Sequence, residues 1–276
     1  MDPETEIPDG SGLHYGKDDM DRLYARVWGD SIHFGVYESA TTDLEAAVFE
    51  CKRRMAMLAG LGADQHVLEV ASGWGATARY LARVFGVSVT ATNIEAQHQA
   101  VARALSEGFG LSRLIHHETV DFHALPFADH TFDVWWCQEA TVHASDKPRV
   151  AREAFRVLKP GGRIVFSDQT TVQSLLSADE ARRLSARHGS GDLFAADDFC
   201  ALLRQAGFTG IAVFDWRDHM ARHFANLVRR IERTHAALAL DIPKPTLDFN
   251  LSLWRLGYDL AGRGAIGWHC FRAEKP

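Results

Sequence analysis

This 276-residue sequence predicts an α/β fold, a mostly parallel sheet covered by helices on both faces. Three observations predict it. From residue 66 onward, short apolar segments alternate with helical ones, and parallel strands need the crossover helices that this alternation supplies. An apolar run, Val67-Leu68-Glu69-Val70, enters a turn of small residues, Ala71-Ser72-Gly73-Trp74-Gly75, and a helix follows. The helical stretches stop at glycine, as at Gly60, Gly108 and Gly207, or at Pro160-Gly161-Gly162.

The elements follow in order. Residues 1–16 are polar and read as a loose tail or flap. A helix runs through Met20, Leu23, Tyr24, Val27 and Trp28, and a second spans 43–59. Strands are expected at 66–71, 87–92, 116–120, 131–137, 163–167, 211–216 and 266–272. Helices are expected at 75–85, 95–108, 147–158 and 196–206. Neighbouring strand residues face opposite sides, so at least one of Trp135 and Trp136 belongs to the core. A helical insert precedes the last strand. Its Met220, Phe224, Leu227, Val228, Ile231, His235 and Leu238 recur every three or four residues and form one apolar face. That face either packs on the core or closes as a lid where the chemistry needs water excluded. The expected division is a cap (1–60), a core (61–217), a lid insert (218–264) and a last core strand (265–276).

Composition narrows the function. The formal net charge is −6, and no basic patch stands out, which argues against nucleic acid as a partner. Cys51, Cys137, Cys200 and Cys270 are scattered, as in a reducing compartment. The first residues are acidic rather than apolar, so no signal peptide is expected. No apolar run is long enough for a membrane span. A cytoplasmic protein with a small-molecule partner is expected, and a homo-oligomer stays open.

The turn at 71–75 carries the chemistry. Small residues let the backbone approach a ligand, and the helix behind it offers free N–H groups. Gly73-x-Gly75-x-x-Ala78 fits the dinucleotide pattern, which would make the chain an NAD(P)-dependent oxidoreductase. That reading wants an acid at the end of the next strand, and Asn93 stands there. A tight turn without a ligand is the third possibility.

Four segments together resemble the class I S-adenosylmethionine-dependent methyltransferases. They are Val67 to Gly75, Thr92-Asn93-Ile94, Val120-Asp121-Phe122 with Leu125-Pro126-Phe127, and Thr131-Phe132-Asp133-Val134 with Leu158-Lys159-Pro160-Gly161-Gly162. Glu69 stands where the family writes Asp, and Ala71 where it writes its first Gly. The resemblance implies a Rossmann-like, seven-stranded sheet with an antiparallel last strand. It also implies S-adenosyl-L-methionine held by Glu69, Ala71, Ser72, Gly73, Gly75, Asn93, Ile94, Asp121, Phe122 and Gln138. Buried in a strand, Glu69 would need a partner such as the N–H groups of the turn.

Two further stretches resemble the sarcosine/dimethylglycine N-methyltransferase group. One is Asp21 to Tyr37, with Trp28-Gly29-Asp30-Ser31-Ile32-His33-Phe34-Gly35; the other is Gln138 to Lys147. Tail pieces at Trp254, Gly262-Arg263-Gly264, Gly267-Trp268 and Phe271-Arg272 agree. A glycine-type amine is the implied acceptor, and C- or O-methylation is the alternative. A ligand binder without turnover is a further one. A carboxylate acceptor would need a cation, for which Arg217 and Arg263 are candidates, each also readable as a surface residue. An amine that becomes charged would favour aromatic faces, and Tyr24, Trp28, Tyr37 and Trp74 are the candidates. His143, after the fourth strand, and His33 are candidate bases, because histidine titrates near neutrality. Either could instead orient a ligand. No metal is expected. Asp168-Gln169 lacks a second acid, and His219 with His223 reads as a solvent-facing pair without a third ligand.

Overall fold

The computed structural model describes residues 19–39, 41–189 and 193–276. The expected tail at 1–16 lies outside the described residues. Seven strands form one sheet: β1 (His66–Glu69), β2 (Ser88–Asn93), β3 (Ile115–Thr119), β4 (Phe132–Gln138), β5 (Leu158–Thr171), β6 (Thr209–Asp215) and β7 (Ile266–Glu274). Their order is β3-β2-β1-β4-β5-β7-β6. All pairings from β3 to β5 are parallel, and β7 runs antiparallel to both its neighbours. This is the Rossmann-like sheet with an antiparallel last strand that the motifs imply.

The helices are α1 (Asp19–Trp28), α2 (Leu44–Ala59), α3 (Ala76–Phe85), α4 (Ala96–Gly108), α5 (Lys147–Val157), α6 (Ala178–His188), α7 (Ala196–Ala206), α8 (Arg217–Leu238) and α9 (Lys244–Gly262). Local chemistry sets their ends. Asp43 caps α2 by accepting the Ala46 N–H, and Gly60 ends it in the left-handed region. Ser177 opens α6 with a capping box to Glu180. Only Leu184 and His188 of α6 are buried, so its apolar stripe is too thin to show as a periodicity. The Ser-x-x-Glu box was the sequence signal for this unanticipated helix.

The sheet has two apolar faces. One cluster joins Val67, Val134 and Trp136 to α1, α2, α8 and α9. The other joins Leu68, Trp135 and Phe166 to α5 and α7. Trp135 and Trp136 therefore fill opposite cores, as strand alternation requires. The apolar face of α8 is buried: Met220, Phe224, Leu227 and Ile231 pack against α1 and the sheet. The helical insert at 218–264 comprises two helices, α8 and α9. α8 and α9 cross closely at Gly257, where a Cβ would come within 2.6 Å of the Phe224 ring.

Candidate functional site: a capped cleft at the strand ends

The ends of β1, β2 and β4 open on one side of the sheet, and residues 19–37 lie over them. Three polar links fasten this cap, one for each strand. Asp21 accepts from His98 Nε2 at 3.0 Å, and His98 Nδ1 accepts from Asn93 at the end of β2, at 3.2 Å. Arg79 on α3 bonds Asp30 at 2.9 Å and the Trp74 carbonyl at 2.6 Å, joining cap and turn. His33 Nδ1 meets Glu139, the residue after β4, at 2.9 Å. Trp28 donates its indole N–H to the His33 carbonyl, which fixes the backbone there.

The turn after β1 is built from unusual backbone. Ala71, Gly73 and Gly75 all have positive φ. A Cβ on Gly75 would meet Ala102, His117 and Arg79 at 3.2–3.3 Å, so glycine serves both conformation and space. Ser72 donates its N–H to the Thr92 carbonyl, and its hydroxyl accepts from Gln99. Glu69 is buried, and burial raises its pKa to about 8, against the pull of Arg79, Lys52 and the Ala78 N–H. Its Oε2 has no hydrogen-bond partner among the described residues. At the end of β2, Ile94 leaves an apolar side chain 64% exposed beside Asn93. An orphaned carboxyl oxygen, a small-residue bend and an exposed apolar contact suit a ligand with a cationic end and a flat ring.

Asp121 and Phe122 follow β3. One Asp121 oxygen takes the His123 N–H at 2.9 Å and the His123 ring at 2.7 Å, and these donors hold its pKa down. The carboxylate itself is exposed. Gln138, in contrast, turns inward. It accepts from Thr77 Oγ1 at 2.9 Å and Trp136 Nε1 at 3.2 Å, and donates to Cys51 Sγ. Its side chain cannot reach a ligand without breaking these bonds.

Around β4 and β5 the groups are acid–base ones. Glu139 has φ +51, rare for a residue with a Cβ. Its Oε1 accepts from Trp268 Nε1 at 3.0 Å and from the Ser167 hydroxyl, while Oε2 holds His33. His33 Nδ1 thus carries the proton, and Nε2 is left as the acceptor. Sequence reading passed over Glu139. It stands in the Gln138–Lys147 stretch that carries the family resemblance, but its partners lie 28, 106 and 129 residues away, so nothing local marks its role.

His143 sits in a 3-10 turn, Thr141–His143. Its Nδ1 bonds the His188 carbonyl at 2.9 Å, and burial lowers its pKa. Asp168 fixes that turn, accepting from the Thr141 hydroxyl and the Val142 N–H, besides the Gln169 N–H. Asp168 is fully enclosed, and burial lifts its pKa to about 7 against those donors. Its carboxyl holds the Thr141–His143 turn in place.

Of the aromatic candidates, Tyr24 stacks on Trp254 at 6.4 Å, and Trp28 meets Trp254 edge-on at 5.3 Å. Trp74 packs against His98. The Tyr37 hydroxyl donates to His223 Nδ1 at 3.1 Å, with the Arg222 guanidinium 4.5 Å over its ring; burial raises its pKa to about 12.

Three expectations need correction. Arg217 pairs with Asp215 at 2.9 Å on the surface. Arg263 is exposed and pairs with Asp259 and Glu180. Neither guanidinium points into the cleft, because acids on the neighbouring surface satisfy both. His223 is fully buried rather than solvent-facing. The Gly35 N–H and the Tyr37 hydroxyl both reach its Nδ1, while His219 accepts the Tyr37 N–H, so the pair ties residues 35–37 to α8.

The comparisons with known proteins agree with this geometry. A methyltransferase-domain family model matches residues 68–166, from β1 into β5. The chain belongs to the class I S-adenosylmethionine-dependent methyltransferases, and S-adenosylmethionine is the cofactor, which displaces the NAD(P) reading. Within that class it is 30% identical over 227 residues to the sarcosine/dimethylglycine N-methyltransferase of Halorhodospira halochloris, covering 82% of this chain and 81% of that one. It is also 30% identical, over 82% of its length, to the glycine/sarcosine/dimethylglycine N-methyltransferase of Actinopolyspora halophila, of which it spans only 40%. A crystal structure from Galdieria sulphuraria, provisionally assigned as a sarcosine dimethylglycine methyltransferase, superposes with a TM-score of 0.87 at 23% identity, covering 95% of this chain and 98% of that one. Among the described residues no helix is long and apolar enough to cross a membrane.

Proposed function

We propose that this enzyme methylates the nitrogen of a small glycine-type amine such as sarcosine or dimethylglycine. The observation that carries the reading is the His33–Glu139 pair at the end of β4, joined through the Trp28 indole N–H to the aromatic cluster of Tyr24, Trp28 and Trp254. The similarity to N-methyltransferases over four-fifths of the chain supports it.

The bound cofactor supplies an electrophilic methyl group on a positively charged sulfur. Glu69, the 71–75 turn, Asn93, Ile94 and Asp121 are the residues that would hold it. Glu69, as a carboxylate, would pair with the cationic end that its orphaned oxygen faces. Asp121 would offer its free oxygen to an exocyclic amine, with Phe122 against the ring. An amine attacks only through its lone pair, so an ammonium acceptor must first lose a proton. His33 Nε2 takes that proton, and Glu139 stabilises the resulting imidazolium through Nδ1–H. Residues 19–37, α8 and α9 act as the lid that keeps water out. The Tyr24 and Trp28 faces favour the cation that forms on nitrogen. His143, in the turn after β4, would orient the acceptor.

The test is S-adenosylhomocysteine release by the purified enzyme across glycine, sarcosine, dimethylglycine and a set of phenols. Turnover confined to the amines is expected. Turnover of phenols alone would replace this reading with O-methylation.

A further inference from the structure

Arg187 lies in the last turn of α6. Burial holds its pKa below the usual guanidinium value, and the Tyr24 hydroxyl is the titratable group acting against that. Its guanidinium has no hydrogen bond or ion pair to any described residue. With Gln169 it lines a narrow cavity walled by Leu184, Phe224, Leu256 and Ile266. Gln169 follows Asp168 on β5, and its buried Nε2 also has no partner. The remaining polar residue at the cavity is Arg183, which reaches Ser252 on α9. Among the described residues no Asp or Glu lines it. Two sets of N–H donors therefore border one space that no described carboxylate lines. A buried amide N–H is nearly always satisfied, and a half-buried guanidinium without a counter-charge favours an anion. The cavity also sits beside the reaction centre. Gln169 pairs across the sheet with Trp268, whose indole N–H bonds Glu139 at 3.0 Å.

We infer that Arg187 and Gln169 bind the carboxylate of the methyl acceptor. The inference rests on the amine reading above and adds the group that selects among amines. With Arg183 engaged by Ser252, one guanidinium and one neutral amide remain to balance a single negative charge, which suits a carboxylate better than a phosphate monoester. The same anchor fixes the distance between the carboxylate and the nitrogen at His33, so it selects short α-amino acids.

The experiment compares wild type with Arg187→Gln, Arg187→Lys and Gln169→Leu. Substrates are dimethylglycine, its neutral amide N,N-dimethylglycinamide, and phosphoethanolamine. Arg187→Gln should raise the KM for dimethylglycine about a hundredfold and leave the KM for the amide little changed. Arg187→Lys should recover only part, because it keeps the charge and loses the fork. S-adenosylhomocysteine affinity should hold in every variant, which reports an intact fold. An unchanged KM for dimethylglycine in Arg187→Gln overturns the subsite while the N-methylation reading stands. Preferred turnover of phosphoethanolamine by wild type also overturns it. Acetate binding to the S-adenosylhomocysteine complex, followed by calorimetry, separates the two claims. Should wild type turn over no amine yet bind acetate, with the binding lost in Arg187→Gln, the subsite stands and the nitrogen reading falls. Equal acetate binding by both proteins overturns the subsite.

Discussion

The two halves of the cleft are built differently. The half at β1–β3 rests on backbone: a bend of small residues, a helix start and strand-end side chains, drawn from the 25 positions between Glu69 and Asn93 and from Asp121. The half at β4, β5 and β7 rests on side chains that meet from distant places. His33, Glu139, Ser167 and Trp268 converge there, with Arg187 and Gln169 beside them. A shared cofactor calls for the first kind of site, since a constant ligand can be held by main-chain geometry. An acceptor that differs between relatives calls for the second, since side chains exchange without disturbing the fold.

Four experiments break or sharpen this contrast. The largest effect is expected in the side-chain half. His33→Ala should lower kcat about 10²- to 10⁴-fold, the range for a positioned base, with S-adenosylhomocysteine affinity preserved. Glu139→Gln should lower it less and shift the pH profile of kcat/KM, because the imidazolium loses its countercharge. Unaltered turnover in both would remove the dyad from the mechanism.

Next comes the backbone half. Gly75→Val should cost about 1–3 kcal/mol for the left-handed backbone alone, and more where its side chain meets Ala102 and His117. Thermal melts and cofactor titration would read both losses. A variant with full cofactor affinity would show that the bend does not hold the ligand.

Glu69 predicts a subtler result. Its carboxyl is raised to about 8 by burial, so it is largely protonated at pH 7 without cofactor. A group whose pKa is raised on folding stabilises most at low pH, and that contribution fades as pH climbs from the usual carboxylate range through about 8. The ligand-free protein should therefore lose stability over that interval, and Glu69→Gln should flatten the loss. Cofactor binding at pH 7 should release up to one proton, seen as a buffer-dependent calorimetric enthalpy. No buffer dependence would mean that Glu69 is already ionised.

The smallest effect belongs to the surface arginines. Arg217→Ala and Arg263→Ala should leave KM unchanged and melting temperature almost so, because exposed ion pairs contribute little. A large KM effect from either would move the acceptor to a different rim.

The same contrast explains what could be read in advance. Gly73, Gly75 and Asn93 were legible because their roles come from neighbours in the chain. The cap was legible through Trp28 and His33, although its fastening to Arg79 and His98 was not. Glu139 and Arg187 were not legible. Glu139 lies in a recognisable stretch that gave it no role, and Arg187 ends a polar helix whose single marker was its capping box. Arg217 and Arg263 drew notice for standing near strand ends, a placement that says nothing about which acids lie within reach.

The sequence by itself determined the strand–helix alternation, the direction of the sheet and the small-residue bend after β1. Those follow from periodicity, backbone freedom and helix ends, all properties of contiguous residues. Only the tertiary structure decided which histidine meets a carboxylate, which guanidinium is left without one, and which polar side chains are already bonded. Those depend on distances between groups up to 129 residues apart, and burial, not spacing, sets their charge.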